Sequence, residues 1–238
     1  MEIAPLEILY NEGPCLVVNK PAGLLTQAPR GIDSLEVRVK ECYRQREEKQ
    51  TDANVYLGLP HRIDRAVTGA IVLARHVRAA RKLSSQFENR TVSKIYWAFV
   101  EGQVTPDEGT WTDYLHKRHG LAQTEVVQAD HPAAKHAVLH YRVLWHGPPG
   151  SWLEICLETG RTHQIRIQSA SRGHAVLGDE QYGSQTPFGE QFSELRDRAI
   201  ALHARQLGFR HPMTGDPVDV TAPLPATWQP LARISHHE

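Results

Sequence analysis

The chain has 238 residues, and its 27 Lys and Arg side chains balance 27 Asp and Glu, so the formal net charge is zero. This length suits one large or two small domains with a substantial core, and 40% hydrophobic residues are typical of a soluble globular protein. Neither a transmembrane run nor a signal-peptide pattern is present. Three scattered cysteines argue against a disulfide framework and favour a reducing compartment such as the cytoplasm. Without CxxC or HExxH, no built-in metal site is expected.

The beginning of the chain predicts a strand pair followed by a helix. Leu6 to Tyr10 and Cys15 to Asn19 are apolar stretches around an Asn-Glu-Gly-Pro turn, which indicates two short strands. Asp33 and Ser34 are candidate caps of a helix that runs to about Arg46. The polar stretch from Glu47 to Asn54 is predicted to be a flexible loop.

The stretch from His61 to Arg75 combines charge with an apolar strand. Asp64 lies between Arg62 and Arg65, and the run Ala70–Ala74 predicts a buried strand that the chain enters through a bend at Gly69. Nearby guanidinium groups favour the ionised form of a carboxylate, and an ionised, fixed carboxylate can act as a nucleophile or a base. The same residues also fit a structural Asp–Arg ion pair, which local chemistry alone favours.

The residues after this strand are basic. From His61 to Lys94 the chain has eight Lys or Arg and two acidic residues, so a neutral protein can still present a basic face to phosphates. A solvated helix face is an equal alternative. His76 to Asn89 predicts an amphipathic helix, and Thr91 to Val100 predicts a strand that carries Tyr96. The predicted inner face of the helix is Val77, Ala80, Leu83, Ser84 and Phe87, with Arg78, Arg81 and Lys82 outside.

The second half of the chain is rich in predicted strands. Glu101 to Gly120 indicates a hairpin region that ends in a basic loop, and a Gly-Pro-Pro-Gly turn joins strands at 137–145 and 152–157. Thr162 is a candidate N-cap of a helix that runs to about Ser171. Phe188 to Arg198 predicts a short surface helix, and the tail from Ser235 to Glu238 is expected to be disordered.

Five segments, in order, resemble the RluA family of pseudouridine synthases. The departures from the family pattern are Ile63 for Leu, Ala66-Val67 for Asp-Thr, and Ala175 for Pro. An ordered set of this kind is not expected by chance. The matching segments are NKPAG at 19–23, HRIDR with TG at 61–69, the K-x-Y-x-A-x-V pattern at 94–100, TGRTHQIR with LGD and YG at 159–183, and the closing stretch from Leu202 to Pro225.

The resemblance implies an α+β fold: a mixed, largely antiparallel bent sheet with flanking helices and a central cleft. It also implies one catalytic domain over residues 1–238, without the N-terminal S4-type RNA-binding domain of many members. The implied enzyme is an isomerase that converts specific uridines of ribosomal or transfer RNA to pseudouridine. It would use no cofactor and no metal, and it would act as a monomer.

The resemblance also implies roles for single residues. Asp64 would act at the ribose, either attacking C1′ or removing the C2′ proton. Arg166 would pair with Asp64 and orient it, and Tyr96 would stack on the target base after the nucleotide flips out of its RNA. The implied substrate-binding residues are His61, Arg62, Arg65, Arg161 and Ile165.

Two alternatives remain open. The departures at Ala66-Val67 and the neutral net charge also fit a catalytically silent RNA-binding relative of the family. A glycoside or nucleoside hydrolase would instead pair Asp64 with a second acid such as Asp179, since such enzymes need two facing carboxyl groups.

Overall fold

A computed structural model describes residues 6–46, 55–118 and 120–235. The predicted flexible loop at 47–54 and the tail at 236–238 lie outside these residues. The strands are β1 (Glu7–Glu12), β2 (Cys15–Lys20), β3 (Thr68–Ala74), β4 (Ser93–Glu101), β5 (Glu108–Lys117), β6 (Thr124–Val127), β7 (Lys135–Gly147), β8 (Gly150–Leu157), β9 (Leu202–Arg210) and β10 (Pro217–Thr221). The helices are α1 (Leu35–Arg46), α2 (Val77–Glu88), α3 (Gln164–Ala170) and α4 (Gln229–Ser235).

The chain forms two compact units, and the predicted α+β class is confirmed. The first unit contains residues up to Ser93 and Ala204–Pro223, and the second contains Lys94–His203 and the residues from Leu224 onward. The predictions of one domain over 1–238 and of a central cleft stay predictions. Within the described ranges, no helix is long and apolar enough to cross a membrane.

In the first unit, β2 pairs antiparallel with both β1 and β3, and β3 also neighbours β9. Every residue of β3 is buried, as its continuous apolar run predicts for a strand that is covered on both faces. Gly69 lies inside β3 with a φ of 118°, and a Cβ there would come within 2.3 Å of the Ala204 carbonyl oxygen. Glycine is therefore required by close strand packing, while the predicted bend before the strand is wrong.

Helix α2 covers this sheet with a face slightly different from the predicted one. Ala79 and Leu83 are buried, and Ala80 and Phe87 pack against the same core. Val77 was expected inside but is 46% exposed, because it lies about 160° around the helix from Ala79 at 100° per residue. The predicted outer residues Arg78, Arg81 and Lys82 are all exposed, as expected.

In the second unit the antiparallel order is β4-β8-β7-β5-β6. The Pro148-Pro149 connection joins β7 to β8, and β5 pairs with β6 up to Lys117 opposite Thr124. The predicted hairpin is therefore present, but its basic residues His116 and Lys117 belong to β5 rather than to a loop.

The predicted helix between Thr162 and about Ser171 is present as α3, but its predicted N-cap is wrong. His163, not Thr162, occupies the N-cap position in a left-handed conformation (φ 52°) without a side-chain cap bond, and the helix begins after it. The predicted helix from Phe188 to Arg198 is reduced to one 3-10 turn, Leu195–Asp197. Phe188 is instead buried, with its ring centroid 5.7 Å from that of Trp228.

Candidate active site

Asp64 lies on a tight turn directly before β3. Its carbonyl oxygen accepts a hydrogen bond from Val67 N at 3.1 Å, which places Arg65 and Ala66 at the centre of the turn. Val67 is only 2% exposed and anchors the turn in the core. The Ala66-Val67 departure from the family pattern is therefore compatible with a well-held Asp64, which is itself half-buried.

Thr26 fixes the residue that precedes Asp64. The Thr26 hydroxyl donates to the Ile63 carbonyl oxygen at 2.8 Å and accepts from Ile63 N at 3.4 Å. Both side chains are buried. Because both backbone polar atoms of Ile63 are hydrogen-bonded to one hydroxyl, the backbone has little conformational freedom directly before Asp64.

Lys20 supports the other side of the turn. It is fully buried, and its Nζ donates to the carbonyl oxygens of Pro21 at 2.7 Å, Leu24 at 2.8 Å and Arg65 at 3.2 Å. An exposed lysine, which the sequence alone would equally allow at this position, is therefore excluded. Burial lowers the pKa of Lys20 to about 7, while the negative charge of Asp64 opposes this shift. The negative charge of Asp64 therefore favours the ammonium form of Lys20.

The predicted RNA-binding residues around Asp64 differ in their surroundings. Arg62 is exposed, whereas Arg65 is half-buried and its Nε donates to the Gly23 carbonyl oxygen at 2.8 Å. His61 accepts a hydrogen bond from Val72 N at 3.1 Å, and its ring stacks on Phe87 at 4.3 Å. His61 thus contacts β3 and α2, and Arg65 contacts the Gly23 carbonyl, whereas Arg62 is the one of the three that is exposed.

Tyr96 lies half-buried on β4, opposite Ile155 of β8. Residues opposite each other in antiparallel strands share a face, so the register places Tyr96, Ile155, Tyr141 and Trp111 on one face of this sheet. Helix α3 packs on that same face, where Gln168 Nε2 donates to the Trp111 carbonyl oxygen at 3.2 Å. The second unit thus presents Tyr96 and the helix that carries Arg166 on one side.

Arg166 is buried and held by a carboxylate from the same unit. Its Nε and Nη2 donate to the two oxygens of Asp179 at 2.6 and 2.8 Å, and Nη2 also donates to Gln181 Oε1 at 2.8 Å. Asp179 is 1% exposed. These bonds use three of the five guanidinium N–H groups. Asp179 lies outside α3, and the predicted pairing of Arg166 with Asp64 stays a prediction.

Tyr182 completes the surroundings of Arg166 and was missed as a site residue. The Arg166 guanidinium lies 4.9 Å from the centre of the Tyr182 ring. The Tyr182 hydroxyl accepts from Thr124 N at 2.9 Å and shares a hydrogen bond with His163 Nδ1 at 2.8 Å. Burial raises the pKa of Tyr182, which keeps the phenol neutral. We refer to Asp179, Gln181 and Tyr182 as the arginine cage. The LGD and YG residues of the sequence were the signal that could have revealed it.

The other predicted residues near α3 have structural contacts. Arg161 Nε donates to the His136 carbonyl oxygen at 2.9 Å, and Ile165 is 4% exposed. Gln164 Oε1 accepts from Thr159 Oγ1 at 2.8 Å and from Arg161 N at 3.0 Å. These bonds fix the entry to α3. In the described part of the chain, no group of three or more His, Cys, Asp or Glu side chains is arranged to hold a metal ion.

Solved structures identify the fold class. The human RNA pseudouridylate synthase domain containing 4 superposes with a TM-score of 0.73 over 95% of this chain and 93% of its own, at 23% identity. The human RNA pseudouridylate synthase domain containing 1 gives a TM-score of 0.69 over 100% of this chain and 98% of its own, at 22% identity. The chain therefore has a pseudouridine synthase fold.

Sequence comparison identifies the family. The family model for RNA pseudouridylate synthase matches residues 14–171. An uncharacterized RNA pseudouridine synthase of Chlorobaculum parvum is 34% identical over 94% of this chain and 72% of its own length. The ribosomal large subunit pseudouridine synthase D of Zymomonas mobilis is 33% identical over 97% of this chain and 73% of its own. This chain belongs to the RNA pseudouridylate synthase family, as the resemblance predicted, and it is an RNA pseudouridine synthase, an isomerase.

Proposed function

We propose that Asp64 is the catalytic carboxylate and acts at the ribose of a flipped uridine in structured RNA. The observation that carries this proposal is the turn at 64–67, which leads directly into a fully buried strand and is fixed through Ile63 and Arg65. A reacting group must be held within a fraction of an ångström of its target, and backbone bonds to buried side chains supply that rigidity. Whether the carboxylate attacks C1′ or removes the C2′ proton, it must be ionised and fixed.

Arg166 and Tyr96 have supporting roles in this proposal. Arg166 would use the guanidinium edge that does not face Asp179 to hold the Asp64 carboxylate, as a forked donor suits a carboxylate. Tyr96 would stack on the displaced uracil, since an aromatic ring compensates part of the cost of taking a base out of its stack. Its half-buried position on β4 leaves part of the side chain accessible.

RNA contact would come from basic side chains that are exposed. Arg62 lies two residues from Asp64, and α2 presents Arg78, Arg81 and Lys82 on its outer face. In the second unit, Lys117 and Arg118 are exposed at the end of the β5–β6 hairpin. Such residues neutralise phosphates locally even though the net charge of the chain is zero, so binding should weaken steeply with salt. The binding surface would be supported by residues that are half-buried or buried, namely His61, Arg65, Arg161 and Ile165.

Ribosomal RNA is the preferred substrate class, and transfer RNA is the second. Relatives named ribosomal large subunit pseudouridine synthase D align over most of this chain, including one of Pseudomonas aeruginosa that is 36% identical over 92% of it and 68% of its own length. We further propose that the protein works as a cytoplasmic monomer. Size-exclusion chromatography with light scattering tests the monomer.

The hydrolase alternative is weakened by the arginine cage. A general acid must reach its substrate, but Asp179 is 1% exposed and both of its oxygens accept hydrogen bonds from the Arg166 guanidinium. A catalytically silent relative would have no need for so firmly fixed a carboxylate turn.

The decisive experiment incubates the purified protein with transcripts of large-subunit ribosomal RNA and of transfer RNA, followed by site-specific pseudouridine mapping. We expect modification of defined uridines by the wild type and none by Asp64→Asn. Asp130→Asn, which changes an exposed carboxylate, is the matched control and should modify normally. Normal turnover by Asp64→Asn would remove Asp64 from the mechanism, and RNA binding without modification by the wild type would favour the silent relative.

Tyr96→Phe tests the stacking role separately. The variant keeps the ring, so we expect RNA affinity to change by less than about threefold and the single-turnover rate to fall by about 10- to 100-fold if the phenol also assists proton transfer. Tyr96→Leu should lose affinity as well, since the ring is gone. If both variants reacted at the wild-type rate, Tyr96 would be a packing residue.

A further inference from the structure

Two residues of the arginine cage contact Arg166 with one group and the β5–β6 hairpin with another. Gln181 accepts from Arg166 Nη2 through Oε1 at 2.8 Å and donates through Nε2 to the Ala122 carbonyl oxygen at 2.6 Å. Tyr182 places its ring 4.9 Å from the Arg166 guanidinium, and its hydroxyl accepts from Thr124 N at 2.9 Å. Asp179, the third member of the cage, instead bonds Arg166 with both oxygens.

Tyr182 also connects the hairpin to the start of α3. Its hydroxyl shares a hydrogen bond of 2.8 Å with Nδ1 of His163, the residue in left-handed conformation that begins the helix. Arg166 is three residues further along α3, so Tyr182 connects the Thr124 backbone to Arg166 by two routes, through the helix start and through the ring beneath the guanidinium.

The hairpin end is exposed and basic. We define the hairpin tip as residues 117, 118 and 120–123; within it Lys117, Arg118, Leu121 and Ala122 are exposed. Arg118 lies 3.8 Å from a carboxylate oxygen of Glu125, an exposed pair that costs little to separate. A phosphate can therefore replace Glu125 as the partner of Arg118, and the tip is suited to the backbone of an RNA strand.

We propose that Gln181 and Tyr182 are positioning residues that couple RNA contact at the hairpin tip to the orientation of Arg166. The proposal rests on the proposed role of Arg166 in holding the catalytic carboxylate. RNA that binds the tip stabilises the arrangement in which both bonds to the hairpin are formed, and this arrangement fixes the guanidinium. A bound ligand shifts such an equilibrium by its difference in affinity for the two arrangements. The enzyme would thus complete its site on structured RNA that reaches the tip.

An uncoupled variant can retain the contacts with Arg166 and lose those with the hairpin. Gln181→Glu keeps an oxygen acceptor for Arg166 but removes the N–H group that bonds Ala122. Tyr182→Phe keeps the ring beneath Arg166 but removes the hydroxyl. The tip variant is Lys117→Ala with Arg118→Ala. Its control, Arg196→Ala with Arg233→Ala, removes the same charge from exposed positions elsewhere in the second unit.

The test is a double-mutant cycle on single-turnover rate and affinity. In the wild-type background the tip variant should weaken RNA binding and also lower the rate at saturating RNA by about tenfold. In the uncoupled background it should weaken binding only, with a rate change below about twofold. The control pair should not change the rate at saturating RNA in either background. If the tip variant lowered the rate at saturating RNA by the same factor in both backgrounds, the coupling would be overturned.

A second measurement does not depend on turnover. In Asp64→Asn protein, the NMR signal of the Arg166 Nε–H group, assigned by its loss in Arg166→Lys, should shift when an RNA stem-loop binds. The shift should vanish in the uncoupled variant and in the tip variant at saturating RNA. If the wild type forms no pseudouridine, the proposed function fails while this signal still decides the coupling. An Arg166 signal that RNA leaves unchanged, or that moves equally in all variants, would overturn it.

Discussion

The Asp64 turn and the arginine cage hold their central residues in different ways. Around Asp64 the bonds that fix the chain run to backbone atoms: the carbonyl oxygens of Ile63, Asp64 and Arg65 each accept a hydrogen bond. Around Arg166 the contacts are made by its side chain, which donates hydrogen bonds to Asp179 and Gln181 and lies over the ring of Tyr182. The first arrangement should survive a change of the central side chain, and the second should not.

Because of this difference, substitutions at Asp64 and at Arg166 should affect catalytic activity and folding stability in different proportions. A substitution of Asp64 removes a reacting group and leaves the scaffold of the turn in place. A substitution of Arg166 also leaves the Asp179 carboxylate buried without its partner, which is among the costly changes in a protein interior. The same enzyme should therefore show one position where activity alone is lost and one where activity and fold are lost together.

The largest effect is expected for Arg166→Met. Loss of a buried ion-pair partner should lower the free energy of unfolding by about 3–5 kcal/mol, measured by urea denaturation. Asp179→Leu in the same chain removes the uncompensated charge and should restore part of this loss. Arg166→Lys, which keeps the charge without the fork, should lie between. A loss below about 1 kcal/mol for Arg166→Met would mean that the cage is not a stabilising feature.

Lys20→Met tests the backbone-held region at its most buried point. The change leaves three carbonyl oxygens without their donor, and we expect the free energy of unfolding to fall by about 1–3 kcal/mol. Because one of these oxygens belongs to Arg65, the rate of pseudouridine formation should also fall. Lys82→Met, at an exposed position of α2, is the matched control and should stay within about 0.5 kcal/mol of wild type. If Lys20→Met and Lys82→Met were equally stable, Lys20 would not be a residue that stabilises the turn.

The strands and helices up to β4, and the β7–β8 pair, could be predicted from local pattern, whereas β6, β9, β10 and α4 were not. The apolar run Ala70–Ala74, the helix from about Leu35 to Arg46 and the Pro148-Pro149 connection all correspond to elements of the structure. Errors arose where tertiary contact overrides local preference. Gly69 had the composition of a bend, but close packing against Ala204 places it inside a strand, and the αL conformation of His163 displaces the predicted cap at Thr162.

The candidate site was predictable in its residue types but not in its contacts. The motif named Arg166, yet pairing it with Asp179 requires a fold that brings together residues 13 apart across a helix end. Lys20 could not be distinguished from a surface lysine, because its three acceptors are carbonyl oxygens that any residue carries. The hairpin contacts of Gln181 and Tyr182 are likewise made with backbone atoms, which every residue carries, so the sequence does not reveal them.

Glu101 is a second residue of this unit whose side chain is held by several hydrogen bonds. Because a carboxylate titrates, its contribution to stability depends on pH. Its Oε1 accepts from Ser184 Oγ, Gln185 N and Thr186 N at 2.9, 2.7 and 2.7 Å. Burial by itself raises the pKa of Glu101, but these hydrogen bonds outweigh it and the pKa lies below the usual value of 4.5.

The carboxylate of Glu101 therefore adds stability above about pH 4.5, and this contribution is lost as the pH falls through the lower pKa of the folded state. We expect the melting temperature of the wild type to drop more steeply below pH 4.5 than that of Glu101→Gln, which keeps an oxygen acceptor but does not titrate. Glu190→Gln, at an exposed position, should follow the wild-type profile. Parallel profiles for wild type and Glu101→Gln would remove Glu101 from the acid response.

The smallest effect on stability is expected for Asp64→Asn, the variant with the largest expected effect on activity. The bonds to Ile63, Asp64 and Arg65 carbonyl oxygens do not involve the carboxylate, so the free energy of unfolding should change by less than about 1 kcal/mol in urea denaturation. The charge of Asp64 favours the ammonium form of Lys20, so its removal should lower the pKa of Lys20 further, as measured by NMR of the lysine side chain. A stability loss as large as that of Arg166→Met would show that the carboxylate itself holds the turn, and the contrast between the two regions would then disappear.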